Sequence, residues 1–170
     1  MKELALINPR NVSIEEITAS SLREAARAIV IDDMNLIALL HVKRDAYYKL
    51  PGGGIEDGED KIIALRRECL EEIGCNIEIL QEVGSTVEYW EEDKEKQISY
   101  CYIAKVTGDK GASNLTKSEK ERGLETVWLS HKEAIETLID CHLNNWEAQY
   151  IVPRELVFLE EAKKYLKIEN

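Results

Sequence analysis

The chain has 170 residues, of which 44% are hydrophobic and 32% charged, and its formal net charge is −11 at pH 7. This length and composition are typical of one globular domain with its own core, so we expect a single domain over residues 1–170. The negative charge argues against a protein that coats nucleic acid, because that binding depends on clustered Lys and Arg. A phosphorylated ligand would need positive charge from metal ions.

The sequence predicts a cytoplasmic protein that neither crosses nor contacts a membrane. No apolar run approaches the ~18 residues that a transmembrane helix needs. Residues 1–16 have neither a basic start nor a long apolar stretch, so no secretory signal is expected. Four widely spaced cysteines form no Cys-x-x-Cys pair, which indicates reduced thiols rather than a zinc site.

The first half of the chain predicts strands up to a glycine cluster. Residues 1–20 are expected to form an N-terminal arm or edge strand. An apolar strand to Ile31, a polar turn and a returning strand over 36–42 predict a hairpin. A short strand over 47–50 then ends at Pro51 and three glycines.

The second half predicts a mixture of helices and strands. A helix over 60–73 has apolar residues at 3/4 spacing and ends at Gly74. We then expect strands near 77–89 and 97–106, a long loop over 108–123, a strand over 124–129, a helix over 131–139 capped by Ser130, and a C-terminal helix over 153–167. This order predicts an α+β fold with a mixed sheet and helices on its faces.

Three carboxylates on the predicted helix suggest a metal site. Glu68, Glu71 and Glu72 fall within an arc of about 100° and would repel one another without a cation between them. Mg²⁺ prefers such hard oxygen ligands and is often shared with phosphates, while the preceding glycines allow the main chain to approach a ligand. An ordinary surface helix with Glu–Arg pairs is the alternative. An EF-hand does not fit, because residues 56–67 lack its alternating Asp and Asn ligands.

Residues 53–75 resemble the signature of the Nudix (MutT-like) hydrolases. That signature is a Gly, five residues, a Glu, seven residues, and then Arg-Glu-apolar-x-Glu-Glu-x-Gly-apolar. Its Gly, Glu and Arg positions are filled by Gly53, Glu59, Arg67, Glu68, Glu71, Glu72 and Gly74. Cys69 and Cys75 stand where larger aliphatic residues are usual, and cysteine packs as a small hydrophobe. The resemblance extends over about residues 22–140.

The resemblance implies a Nudix α/β/α sandwich with a mixed β-sheet between helices. It also implies cleavage of a nucleoside diphosphate linked to some moiety X, with Mg²⁺ or alternatively Mn²⁺ as cofactor. The implied metal ligands are Glu68, Glu71, Glu72 and the carbonyl of Gly53, and either Glu71 or Glu72 would also orient or deprotonate the attacking water. Structural roles are implied for Gly52, Glu59, Arg67 and Gly74. The family does not fix the general base, for which Glu119 and Glu121 are the candidates here.

Four further residues are candidates for substrate contacts. Arg27 and Arg44 lie upstream of the glycines and would contact phosphate, as an inward-facing Arg commonly does. Tyr48 and Trp90 would stack on a base. Aromatic residues at strand ends also serve in packing, and Arg27 would alternatively be exposed on an open sheet face.

The motifs of ADP-ribose, coenzyme A and NADH hydrolases are absent, which leaves a nucleoside triphosphate or a similar small nucleotide as the expected substrate. The alternatives are dinucleoside polyphosphates, sugar nucleotides, a nucleotide-sensing module without catalysis, and an isomerase of the same fold. A homodimer is a further expectation, because dimers are common in the family.

Overall fold

The computed structural model of this protein describes residues 1–166. Within them, eight strands form one mixed sheet and five helices pack around it. The strands are β1 (Glu3–Ile7), β2 (Ser21–Ile31), β3 (Ile37–Val42), β4 (Tyr47–Lys49), β5 (Gly52–Gly54), β6 (Asn76–Trp90), β7 (Glu95–Thr107) and β8 (Leu124–Leu129). The helices are α1 (Ile14–Ala19), α2 (Lys61–Ile73), α3 (Lys117–Arg122), α4 (His131–Ile139) and α5 (Ala148–Ala162). None of these helices combines the length and low polarity that crossing a membrane requires.

The sheet holds the glycine turn against one of its interior strands. The order is β1-β6-β7-β2-β3-β4, with β5 paired to β2 and β8 paired to β3. β6 and β7 form a long antiparallel hairpin, whereas β1 runs parallel to β6 and β2 runs parallel to β7. In the β2–β5 pair, Ala26 lies opposite Gly53 and Arg27 lies opposite Gly52.

Two apolar cores cover the two faces of the sheet. On one face, α2 buries Leu65 and Cys69 in a cluster with Ala28 of β2. On the other face, α4 and α5 enclose a cluster that includes Phe158 and Ile29. Since side chains alternate along a strand, the neighbours Ala28 and Ile29 serve opposite cores. The α/β/α sandwich with a mixed sheet is therefore confirmed.

The strongly patterned segments form the expected elements. The β2–β3 hairpin, α2 and the β6–β7 hairpin lie where the sequence predicts them. The segment of β8 and α4 is confirmed as well, and the Ser130 side chain caps α4 by accepting a hydrogen bond from the backbone N–H of Glu133. In these elements, the local sequence pattern favours the same secondary structure that tertiary packing requires.

Residues 117–122 form helix α3, so the expectation of a loop over all of 108–123 is wrong there. The helix begins with a capping box, in which Thr116 and Glu119 exchange side-chain to backbone hydrogen bonds. It ends at Gly123, whose φ of 68° is the left-handed conformation that glycine adopts readily. The Thr-x-x-Glu spacing is the signal that would have revealed this helix.

Helix α5 begins at Ala148, before the expected start at residue 153. The helix ends at Ala162, so the expectation of helix over residues 163–166 is wrong, while the expected end at residue 167 lies outside the described residues. Pro153 lies inside the helix, where a proline lacks the N–H group and costs about 3 kcal/mol. The turn before it buries Ala148 and Tyr150 completely, so packing against the sheet outweighs that cost.

Candidate active site

Helix α2 carries the three carboxylates beside its apolar face. Asp60 caps the helix by accepting hydrogen bonds from the backbone N–H groups of Ile62 and Ile63, both at 2.8 Å. Gly74 ends it in the left-handed conformation, with φ of 64°. The residues buried against the sheet side are Ala64, Leu65, Cys69 and Ile73. Of the carboxylates, Glu72 is buried, while Glu68 and Glu71 are partly exposed.

The glycine turn needs glycine at two positions for different reasons. Gly52 has φ of 128°, and a Cβ there would overlap the carbonyl oxygen of Ala26. A Cβ at Gly53 would instead overlap the carboxylate of Glu68. The main chain of Gly53 and the carboxylate of Glu68 therefore lie in direct contact, which is the arrangement that a shared ligand would require.

Arg67 connects the loop before α2 to the carboxylates. Its guanidinium donates to both carboxylate oxygens of Glu59, at 2.8 and 2.9 Å, and to the Gly54 carbonyl at 3.2 Å. It also donates to Glu68 at 2.7 Å and lies 3.5 Å from Glu71. Hydrogen bonds from Arg67 hold the pKa of Glu59 at about 2. The structural roles of Arg67 and Glu59 stay predictions, and these contacts agree with them.

Both carboxylate oxygens of Glu72 accept hydrogen bonds from the neighbouring strands β4 and β5. Oε1 accepts a hydrogen bond from Lys49 Nζ and Oε2 accepts one from the Gly52 N–H, each at 2.7 Å. Burial raises the pKa of Glu72, and Lys49 and the Gly52 N–H oppose that shift. Gly52 is contacted from its other side as well, because Arg27 donates from Nη1 to the Gly52 carbonyl.

A cavity of about 240 Å³ lies between the sheet and α5, next to this linkage. Its cationic lining residues are Arg23, Arg27, Lys49, Arg122 and Arg154, and its aromatic lining residues are Tyr47, Trp90 and Trp146. Most of the cations have carboxylate partners: Arg122 contacts Asp45 and Glu147, and Arg154 contacts Glu88 and Glu155.

Arg27 differs from the other cations of the cavity. Among the described residues it forms no ion pair, and its Nε, like that of Arg154, is buried without a hydrogen-bond partner. Burial lowers the pKa of Arg27 to about 10, which still leaves it charged at neutral pH. A buried guanidinium with unused donors is suited to an anionic ligand.

The other predicted substrate contacts are placed less favourably. Arg44 is half-exposed, bonds to the adjacent Asp45 and does not line the cavity. Tyr48 stacks on His41 at a centroid distance of 4.3 Å and is also outside the lining. Trp90 lines the cavity, but it is 9% exposed and one face of its ring stacks on Tyr150. Only the remaining ring surface of Trp90 is available for a base.

The two candidate bases lie in different environments on α3. Glu119 lines the cavity, and its carboxylate accepts hydrogen bonds from Thr116. The side chain of Glu121 is 62% exposed, lies 3.8 Å from Lys117 and is outside the lining. The geometry therefore favours Glu119.

The carboxylates fit a hard divalent cation in their chemistry. In residues 1–166, no group of three or more His, Cys, Asp or Glu side chains already has metal-binding geometry. Instead, Glu68 and Glu72 accept hydrogen bonds from cationic side chains, Arg67 and Lys49. A cation would replace Lys49 at Glu72 and would bind Glu68 through the carboxylate oxygen that Arg67 does not contact. An all-oxygen set of carboxylates and a main-chain carbonyl suits Mg²⁺ or Mn²⁺.

Lys49, Arg122, Arg154 and Trp146 line the cavity although the sequence did not mark them as site residues. The position of Lys49 could have been predicted from the alternation of side chains along the short strand β4. Lys49 lies two positions after Tyr47, so both side chains project from the same face of the sheet. The others depend on how α3 and α5 pack onto the sheet, which no local pattern reveals.

An α/β/α sandwich with a glycine turn packed against a carboxylate-bearing helix is the architecture that the sequence resemblance implied. A family model described as the NUDIX domain matches residues 21–152. This chain belongs to that family.

An RNA pyrophosphohydrolase from Wolbachia sp. subsp. Drosophila simulans (strain wRi) is 34% identical over 67 residues, which cover 39% of this chain and 40% of that protein. Nudix hydrolase 26, chloroplastic, from Arabidopsis thaliana is 29% identical over 109 residues, covering 55% of this chain and 50% of that protein. The chain thus spans half or less of the length of these curated relatives. A solved NUDIX hydrolase from Nitrosomonas europaea has a TM-score of 0.63 at 19% identity, covering 88% of this chain and 98% of that one. At this identity the likeness concerns the fold.

Proposed function

We propose that this protein hydrolyses a diphosphate linkage in a small nucleotide with the help of a divalent metal ion, and that a nucleoside triphosphate is its first expected substrate. The observation that carries the proposal is the position of Gly52. Its N–H donates to Glu72 and its carbonyl accepts from Arg27. One residue thus joins the carboxylate face of α2 to the cationic cavity. Glu68, Glu71 and Glu72 do not line the cavity themselves, but phosphates bound in it would lie next to Lys49 and Arg27, which contact Glu72 and Gly52.

The cavity cations would bind and orient the phosphates. Arg27 offers unused donors in a buried position, where a guanidinium forms strong hydrogen bonds to phosphate oxygens. Arg23 is half-exposed and its closest carboxylate contact, with Glu95, is 3.9 Å long. It therefore remains available for a second phosphate at the cavity mouth.

The carboxylates of α2 would hold the cation. Glu68, Glu71, Glu72 and the Gly53 carbonyl are the proposed ligands, and Arg67 keeps Glu68 in position. A bound divalent cation would neutralise charge on the bridging phosphate and activate a water molecule. Glu119 is the proposed general base, because it lines the cavity.

The identity of the nucleotide is the finer part of the proposal. The name of the Wolbachia relative adds the triphosphorylated 5′ end of an RNA to the candidates, which also include dinucleoside polyphosphates and sugar nucleotides. A sensor without catalysis is the competing function. The complete set of three carboxylates counts against it, since a sensor has no need of all three.

The test is a substrate screen with the purified protein. The panel should contain nucleoside triphosphates, dinucleoside polyphosphates, sugar nucleotides and a short RNA with a 5′ triphosphate, each with Mg²⁺, with Mn²⁺ and with EDTA. We expect metal-dependent release of phosphate or pyrophosphate from at least one of them. Absence of product from the whole panel would favour the sensor.

Two variants test the ligand assignment in the same assay. We expect Glu71→Gln and Glu72→Gln to abolish turnover without changing the circular dichroism spectrum, because they remove charge but little volume. Glu78→Gln on the exposed side of β6 is the matched control and should be as active as the wild type. Near-normal activity of Glu71→Gln or Glu72→Gln would contradict the assignment.

A further inference from the structure

Lys49 occupies a position that the glycine and carboxylate motif does not explain. It ends strand β4, outside residues 53–75, and its Nζ lies 2.7 Å from Glu72 Oε1. The Lys49 side chain is 17% exposed and lines the cavity, whereas the Glu72 side chain is 2% exposed. The ammonium group therefore stands between the carboxylate face and the cavity.

The Glu72 carboxylate needs a positive partner in its buried position. A buried charge without compensation is costly, and the Gly52 N–H supplies only one neutral hydrogen bond. Lys49 supplies the compensating charge in the structure. A divalent cation at Glu72 would provide it instead, and the two positive charges would repel each other if both stayed.

We propose that Lys49 is an exchangeable counter-ion: it neutralises Glu72 before a cation binds, and it moves to a phosphate oxygen of the ligand once the cation has taken its place. This inference rests on the proposed function, because it requires Glu72 to be a metal ligand. The lysine side chain suits the exchange, since its compact ammonium sits on a flexible stem and is not bound to one planar geometry.

The position of Lys49 supports both ends of the exchange. It shares the cavity with Arg27, which touches Gly52 from the opposite side to Glu72. A phosphate bound near Gly52 would therefore lie close to both Lys49 and Arg27, which line the same cavity. Lys49 competes with the cation for Glu72 and helps to bind the anion. A variant that lacks the charge of Lys49 should therefore bind the cation more tightly and the anion more weakly.

The experiment measures the binding of Mn²⁺ alone and then the binding of inorganic phosphate. Mn²⁺ affinity of the metal-free protein is determined by electron paramagnetic resonance. Phosphate affinity is then determined at saturating Mn²⁺ from the paramagnetic broadening of the phosphorus NMR line. For Lys49→Met we expect Mn²⁺ to bind about tenfold more tightly and phosphate about tenfold more weakly, a typical coupling between two ligands.

Three further variants separate exchange from general electrostatics and from folding. Lys105→Met removes one positive charge from an exposed pair with Asp33 and should change neither affinity. Lys49→Gln keeps a hydrogen-bond donor for Glu72 and carries the test if Lys49→Met does not fold. Lys49→Arg keeps the charge and should restore phosphate binding.

The outcomes distinguish this inference from the proposed function. If the wild type binds Mn²⁺ and the charge-removing variants bind it equally or more weakly, Lys49 is only a structural ion pair and the inference is overturned. If the wild type binds no Mn²⁺, the proposed metal site fails first and the inference fails with it. Tighter Mn²⁺ binding with weaker phosphate binding supports the exchange.

Discussion

Arg67 donates to both carboxylate oxygens of Glu59, from Nε at 2.8 Å and from Nη2 at 2.9 Å. This bidentate interaction requires the planar guanidinium group and fixes its orientation. The remaining nitrogen, Nη1, is thereby directed to Glu68 at 2.7 Å. The loop before α2 thus sets the position of a proposed metal ligand through one side chain.

We expect Arg67→Lys to lower kcat by about 10- to 100-fold, the range typical for residues that orient metal ligands. A single ammonium group cannot bond both oxygens of Glu59 and also reach Glu68 in the same orientation. Steady-state kinetics on the substrate identified in the screen would measure this. Arg66→Lys is the control, since Arg66 is the neighbouring, exposed residue of the same helix. Equal kinetics for the two variants would contradict the orienting role.

Acid should remove the stabilising effect of the Arg67–Glu59 pair. Hydrogen bonds from Arg67, and a further one from the Glu56 N–H, lower the pKa of Glu59 from 4.5 to about 2. A carboxylate with a lowered pKa contributes stability above its unfolded-state pKa and loses it as the pH falls through the folded-state value. We therefore expect wild type to exceed Glu59→Gln in stability at pH 6, with a difference that shrinks between pH 4.5 and 2. Urea unfolding of both proteins across this range measures the difference, and a constant difference would contradict the assignment.

The carboxylate face of α2 could be predicted because its information is local. The spacing of Glu68, Glu71 and Glu72 within one helix fixes their common side, and a glycine follows the helix at its end. The glycine turn could be predicted for the same reason. In both cases the residues that make the feature are neighbours in the chain.

The buried charges could not be predicted, because their partners are distant in sequence. Arg154 is completely buried and contacts Glu88, which lies 66 positions earlier. An Arg in an amphipathic helix is ordinarily exposed, so the pattern of α5 gives no hint of this pair. The contact between Lys49 and Glu72 likewise appears only when β4 and α2 come together across the glycine turn.

Gly53→Ala should disturb the proposed metal site, because the added methyl group has no free space beside Glu68. The backbone of Gly53 has no positive φ, so the effect would come from overlap of the new Cβ with the Glu68 carboxylate. The overlap falls on the end of a side chain that Arg67 holds in place, so we expect a loss of about 1 kcal/mol in the free energy of unfolding, the low end of the cost of overpacking. We also expect weaker Mn²⁺ binding, since Glu68 must move away. Urea unfolding and electron paramagnetic resonance measure the two effects.

Gly54→Ala is the matched control one residue later. The nearest atom to its new Cβ would be Arg23 Nη2 at 3.3 Å, at the end of a flexible side chain. We expect its stability to change by no more than about 0.5 kcal/mol. If Gly53→Ala behaved like Gly54→Ala in Mn²⁺ binding, the contact between Gly53 and Glu68 would not belong to a metal site.

The general base can be identified by comparing two glutamates of α3. Glu119→Gln should lower kcat by about 10²- to 10⁴-fold if Glu119 accepts the proton of the attacking water. Glutamine also serves at this position of a capping box, so the N-terminal cap of α3 and the melting temperature should be preserved. Glu121→Gln should retain wild-type kinetics, because Glu121 is exposed and lies outside the cavity.

The division of the effect between kcat and KM decides between the remaining explanations. If Glu119 is the base, its replacement should lower kcat with little change in KM, whereas a change in the shape of the cavity would raise KM as well. A loss of activity confined to Glu121→Gln would instead require α3 to turn its exposed side toward the ligand. If both variants kept the wild-type kcat and KM, the proton would have to be accepted on α2, where Glu71 is the most exposed of the three carboxylates.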